Sequence, residues 1–221
     1  MFAGFVFFIP SCFKINIEIH MSEDADAKYT YLALGDSYTI GEGVLPEESF
    51  PAQTVALLKN FTAPQIIAKT GWTTDELDSA IDAANISAVF DLVTLLIGVN
   101  NQYRGRSVSE YKTQFDHLLQ RAIHFSGNKT KHVFVLSIPD WGVTPFADGQ
   151  DRQKIAAAID AYNDTARKIC EQHYVAFIDI TTSQRVDGNK AAFLASDGLH
   201  PSGKEYAKWA EKLAKAVAGS R

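Results

Sequence analysis

Apolar residues along this chain fall into two spacings that alternate from one stretch to the next. Short apolar runs at 29–35, 65–68, 91–97, 132–137 and 175–180 carry the branched and aromatic residues that favour strands. Between them the apolar positions recur at helical spacing. Tyr111, Phe115, Leu118, Leu119 and Ala122 form one such stripe. Ile155, Ile159, Tyr162, Ala166, Ile169 and Cys170 form a second, in a helix expected from near Arg152 to His173. Tyr206, Trp209, Leu213 and Val217 form a third, in a last helix starting at Pro201.

Polar residues punctuate the pattern. Thr73-Thr74-Asp75-Glu76 and Ser107-Val108-Ser109-Glu110 have the spacing of capping boxes, each opening a helix, the first running to about Ala84. Ser49 can cap a further helix over about 51–60, with Pro51 in its first turn, where a missing N–H does no harm. The run at 91–97 is apolar almost throughout, as a central strand covered on both faces requires. Strands alternating with helices predict an α/β fold. The expectation is a single three-layer α/β/α domain over 21–221, built on a mostly parallel five-stranded sheet with right-handed crossovers.

The first twenty residues differ in character from the rest of the chain. Residues 1–10 are apolar but too short to span a membrane. Their length suits a signal segment, yet no Lys or Arg precedes them and no small-residue cleavage site comes cleanly after them. Met21-Ser22-Glu23-Asp24 reads as an ordinary polar start, so 1–20 is read as an upstream extension and the protein as cytoplasmic, with export the alternative.

Composition narrows the function. An apolar content of 46% over 221 residues is that of a globular protein. A net charge of −5, with no dense Lys/Arg run, argues against nucleic acid or anionic membrane surfaces as main partners; no stable membrane insertion is expected. Cys12 and Cys170 make no disulfide framework, and no Cys/His cluster implies a metal; no cofactor is expected. Cys170 falls on an apolar helix side and reads as a buried thiol. His117 and His124 lie two turns apart, too distant for a shared metal, and His173 suits a helix C-terminus. Gly198–Lys204 has the spacing of a phosphate-binding loop, but Glu205 stands where Ser or Thr is needed. Gly41-Glu42-Gly43 lacks the third glycine of a dinucleotide site.

The candidate chemistry begins where the first strand ends. Gly35-Asp36-Ser37-Tyr38 places one hydroxyl, read as exposed, in a Gly- and Thr-rich loop at the carboxyl rim of the sheet, where α/β folds bind ligands. A serine nucleophile needs a base and donors for an oxyanion. His200 can be the base, with Asp197 holding its tautomer. Gly71 and Gly98-Val99-Asn100-Asn101 come after later strands. Each residue also has a plain structural reading: Gly71 and Asn100 as turn residues, Asp197 as a loop residue and His200 as a cap.

Taken together these stretches resemble the GDSL or SGNH esterase/lipase superfamily, from about Tyr29 to Trp209. Gly35-Asp36-Ser37-Tyr38 is similar to its nucleophile motif, with Tyr38 for the eponymous leucine. Gly71, Gly98-x-Asn100 and Asp197-x-x-His200-Pro201 are similar to the other three, in order. The resemblance implies a flavodoxin-like SGNH hydrolase fold and a serine esterase working through an acyl-enzyme. It implies Ser37 as nucleophile, His200 as base and Asp197 as its orienter. The implied oxyanion hole is the Ser37 and Gly71 amides with the Asn100 side chain. Asn101 departs from the family's aspartate, which removes a charge that would brace the loop around Asn100; Asp36 reads as a structural brace. The implied partner is a small-molecule ester, lysophospholipid or acetyl ester among the options; oligomeric state stays open. Loops 43–50, 102–107 and 138–149 are expected to shape the pocket, through Tyr103, Arg104, Arg106, Trp141 and Phe146. The alternative is a non-catalytic flavodoxin-like module whose loop 37–41 cradles a phosphate.

Overall fold

Five strands pair side by side in one parallel sheet: β1 (Tyr31–Asp36), β2 (Gln65–Lys69), β3 (Leu92–Leu96), β4 (Val133–Leu136) and β5 (Ala176–Ile178). Their spatial order is β2-β1-β3-β4-β5. The structure is a computed structural model describing residue 1 and residues 28–220. The reading of 1–20 as an extension, with Cys12 and His20, lies outside the described residues.

The helices are α1 (Ser37–Ile40), α2 (Phe50–Leu58), α3 (Thr74–Ala84), α4 (Val99–Tyr103), α5 (Val108–Phe125), α6 (Arg152–Gln172), α7 (Thr181–Asp187) and α8 (Gly203–Ser220). The strand order dictates where they go. The chain steps from β1 to β2 in one direction, and from β2 onward in the other. Right-handed crossovers therefore put α2 on one face and α3, α5 and α6 on the other. α8 closes the first face against α2, while α5 packs between α3 and α6. β1, β3 and β4 are buried along their whole length, as strands covered on both faces must be. β2 is an edge strand and largely exposed.

The three apolar helix stripes face the core throughout, and Cys170 is fully buried. Several boundaries differ. The first strand starts two residues late, because Tyr29 pairs only as an isolated bridge with Phe61. The fifth strand keeps three of the six expected residues, since an edge strand has a ladder on one side only. Ser49 precedes α2 but does not cap it; its hydroxyl donates to the Pro46 carbonyl at 2.8 Å. The last helix begins at Gly203, because Pro201 is taken by a bridge to Leu194. The short helices α1, α4 and α7 carry too few apolar positions to show a period, and all three lie just after strands.

This order matters for function. At the point where β1 lies between β2 and β3, successive connections leave in opposite directions and open a crevice at the strands' carboxyl ends. Ser37, Gly71 and Asn100 stand just beyond β1, β2 and β3.

Candidate active site

β1 ends in Asp36, whose buried carboxylate accepts the Tyr38 amide at 3.0 Å and so caps α1. That turn places Ser37 as the first helical residue. Its side chain is not exposed as the sequence suggested: Ser37 is 4% exposed, because His200 lies over it. His200 Nε2 is 3.0 Å from Ser37 Oγ, and His200 Nδ1 is 2.6 Å from Asp197 Oδ2. The other oxygen of Asp197 accepts the Leu199 and His200 amides at 2.9 and 3.0 Å.

These contacts assign the protons. Burial pushes the Asp197 carboxyl up, but hydrogen bonds from His200 and the two amides outweigh it and hold its pKa below the ordinary value. Ionised, it can only accept, so His200 Nδ1 carries a hydrogen, and in the neutral ring Nε2 is left with its lone pair toward the Ser37 hydroxyl. The arrangement can draw a proton off an alcohol and hold the resulting imidazolium. Tyr38 packs on the imidazole at 5.0 Å between ring centroids and reaches Trp209 of α8 at 6.3 Å. Tyr38 thus supports the ring by packing, while Asp197 holds it by a hydrogen bond.

Gly71 and Asn100 are brought to the same rim. Gly71 turns the chain after β2 with φ +83°, a conformation that any side chain would strain. Gly98 is required twice over: its φ is +128°, and a Cβ there would fall 2.5 Å from the Tyr111 ring. Only glycine lets β3 run straight into α4 and deliver Asn100. Asn100 Nδ2 donates to the Trp72 carbonyl at 2.9 Å and lies 3.5 Å from Asp36 Oδ2, the outer edge of hydrogen bonding.

Asn101 answers the question its identity raised. Its Oδ1 accepts the Thr74 amide at 3.0 Å and its Nδ2 donates to the Thr74 hydroxyl at 2.7 Å. A carboxylate could not donate the second bond; Asn101 does, which leaves the Thr74 hydroxyl's own hydrogen for Gln114 Oε1. Asn101 therefore braces the start of α3, without a charge, while Asn100 is held through Trp72. Arg104 adds a third tie, from its guanidinium to the Gly71 carbonyl at 2.6 Å and to Glu76 at 3.2 Å. The 71–76 turn is thus laced to α4 along its length.

A small apolar pocket opens beside Asn100, lined by Tyr38, Val99, Tyr103, Trp141, Phe146 and Leu199, with a volume of about 110 Å³. Loops 102–107 and 138–149 supply three of these residues, as expected. None of loop 43–50 lines this pocket; Glu48 of that loop packs instead against Gly203 at the start of α8. Arg104 and Arg106 also stay outside it, with Arg106 paired to Asp75 at 2.6 Å and Glu110 at 3.3 Å. Val99 and Leu199 were missed by the sequence reading, although each adjoins a motif residue. Among the described residues no group of three or more His, Cys, Asp or Glu is placed to hold a metal ion. His117 and His173 instead face Asp78 and Asp116.

Asp36 gives this site a measurable pH signature. Burial pushes its carboxyl up to about 7, against the hydrogen bonds from the Tyr38 amide and its own amide. Between the ordinary value of 3.8 and about 7 the folded protein holds a proton that the unfolded chain has released. Stability contributed by Asp36 is therefore lost as pH rises through that window, by roughly 4 kcal/mol in all. Asp36→Asn keeps a cap acceptor but cannot ionise. Urea unfolding at pH 5 and pH 8 is expected to show a steeper loss for the wild type than for Asp36→Asn; equal losses would count against it.

The sequence model of the GDSL-like lipase/acylhydrolase family matches residues 33–208. The chain belongs to this family. Membership of the GDSL-like lipase/acylhydrolase family supports an esterase or hydrolase function on small-molecule esters. No curated protein matches the chain by sequence. Among solved structures, a member of the lipolytic G-D-S-L family from Veillonella parvula DSM 2008 shares 17% identity at TM-score 0.68, covering 86% of this chain and 98% of that one. The psychrotrophic esterase EstA from Pseudoalteromonas sp., in a structure inhibited by monoethylphosphonate, shares 16% at TM-score 0.65, covering 87% and 98%. The acetylxylan esterase Axe2 from Geobacillus stearothermophilus shares 18% at TM-score 0.66, covering 88% and 96%. At these identities the shared property is the fold. No helix among the described residues of this GDSL-like acylhydrolase is long and apolar enough to cross a membrane.

Proposed function

We propose that this chain is a serine carboxylesterase working through an acyl-enzyme on Ser37. The observation that carries the reading is the unbroken Asp197–His200–Ser37 chain at 2.6 and 3.0 Å. Ser37 Oγ attacks the ester carbonyl carbon while its proton passes to His200 Nε2. The tetrahedral intermediate collapses with loss of the alcohol, which takes that proton. Water then attacks the acyl carbonyl, gives its proton to His200, and the acid departs as Ser37 regains its hydrogen. Asp197 keeps the imidazole in the accepting tautomer and stabilises the imidazolium.

The oxyanion donors in this reading are the Ser37 and Gly71 amides and Asn100 Nδ2. One hydrogen of that amide is committed to Trp72; the other, only loosely engaged by Asp36, is the donor. All three stand just beyond adjacent strands, and the Asn100 hydrogen has only its long contact with Asp36 to give up when charge develops. The phosphate-cradle alternative gives Gly71, Asn100 and His200 no joint task and leaves the imidazole on Ser37 unexplained.

A fluorophosphonate reagent tests the assignment directly, since phosphonylation traps the nucleophile as a stable adduct. Peptide mass spectrometry is expected to find the label on Ser37 alone. Labelling at another serine, or none in folded protein, would remove the basis of the reading.

A further inference from the structure

The pocket beside Asn100 shares Tyr103, Trp141 and Phe146 with a second and larger groove, of about 740 Å³, which runs on past Gln150, Lys154 and Tyr162. The three rings stand between the two spaces. Trp141 meets Tyr103 edge-on at 5.3 Å and Phe146 edge-on at 6.0 Å, and Tyr103 and Phe146 are 6.2 Å apart. We infer that Tyr103, Trp141 and Phe146 form a partition that limits acyl-chain length, making this a short-acyl esterase with an unused groove behind its acyl pocket. The inference rests on the Ser37 reading and adds to it a substrate class.

The assignment of the small pocket to the acyl group comes from the reaction. The alcohol must leave and be replaced by water, so its side has to be open and wet. The acyl chain stays through both steps, and an apolar recess beside the oxyanion donor suits it. At about 110 Å³ the pocket is small beside the groove of about 740 Å³, and it suits short acyl chains rather than long ones. A longer chain meets the rings before it reaches the groove.

The partition is built on fixed supports. Trp141 is buried, and its indole N–H donates to Gln102 Oε1 at 2.7 Å, which joins loop 138–149 to α4. Asp140, also buried, takes the Gly142 amide at 2.9 Å and Arg185 Nε at 2.8 Å. Asn163 of α6 grips both the amide and the carbonyl of Ile138, at 2.8 and 3.1 Å. Tyr103 and Phe146, by contrast, are 56% and 46% exposed, so their rings are the parts that substitution can remove without hollowing the core.

The experiment is a p-nitrophenyl ester series from acetate to decanoate, run on the wild type, Tyr103→Ala, Phe146→Ala and the double variant, with melting temperatures checking the fold. The wild type is expected to favour acetate to butyrate, with kcat/KM falling by about 10-fold or more at octanoate. Phe146→Ala and the double variant are expected to join the two spaces and raise the octanoate-to-acetate ratio of kcat/KM by about 10-fold or more. A wild type that already favours octanoate, or folded variants that keep the wild-type chain-length profile, would overturn the partition. Ser37→Ala assayed on acetate keeps the two readings apart: its failure to lose activity sinks the nucleophile, whereas an unchanged length profile sinks only the partition.

Discussion

Ser37→Ala is expected to lower kcat on p-nitrophenyl acetate by roughly a million-fold, with His200→Ala nearly as damaging and Asp197→Ala somewhat less. The ordering reflects what each change leaves behind. Without the hydroxyl no acyl-enzyme can form. Without the imidazole the hydroxyl keeps its proton and the leaving alcohol receives none. Without the Asp197 carboxylate the imidazole is still packed by Tyr38, but its tautomer is no longer dictated. The double variant Ser37→Ala with His200→Ala should be little worse than either single one, because the two act as a unit. Steady-state kinetics on purified variants check this. A Ser37→Ala protein retaining most of its turnover would show that the hydrolysis arises elsewhere.

Asn100→Ala is expected to reduce kcat by about 100- to 1000-fold while changing KM little, the mark of a donor used in the transition state rather than in the resting complex. The side chain also bonds the Trp72 carbonyl, so its loss touches the 71–76 turn. Asn101 and Arg104 still tie that turn to α4, which keeps the structural damage small. Asn100→Asp is the sharper comparison. It replaces a donor by an acceptor where negative charge develops, and its kcat should fall below that of Asn100→Ala. A kcat for Asn100→Ala close to the wild type's would assign the oxyanion to the backbone amides alone.

Much of this was legible in the sequence, and the part that was not has a physical reason. α5, α6 and α8 each bury one stripe against the sheet, and a stripe repeated over several turns stands out in a single chain. α4 is one turn long and mostly polar, so no period marks it, although it delivers Asn100. The expectation for Ser37, Asp197 and His200 came from compact motifs of a recognisable kind. Their spacing along the chain says nothing of the 3.0 Å approach between Ser37 and His200, which only the sheet order creates. Tyr103, Trp141 and Phe146 were expected to shape the pocket, but their edge-on grouping was not readable. Tyr103, Trp141 and Phe146 lie in or beside loops, where no periodicity says which way a ring points. The burial of Ser37 was misjudged for a related reason, since what covers it comes from 163 positions away.

His200 and Asp197 belong to one short turn, pinned by the Leu194–Pro201 bridge and continuing into α8. The candidate site is thus assembled from two prefabricated halves, one on the sheet and one leading into the C-terminal helix. Heat or denaturant that merely undocks α8 from α2 would separate the halves while leaving each internally intact. Such a protein would fall silent before it melts, and would recover as soon as the helix settled back.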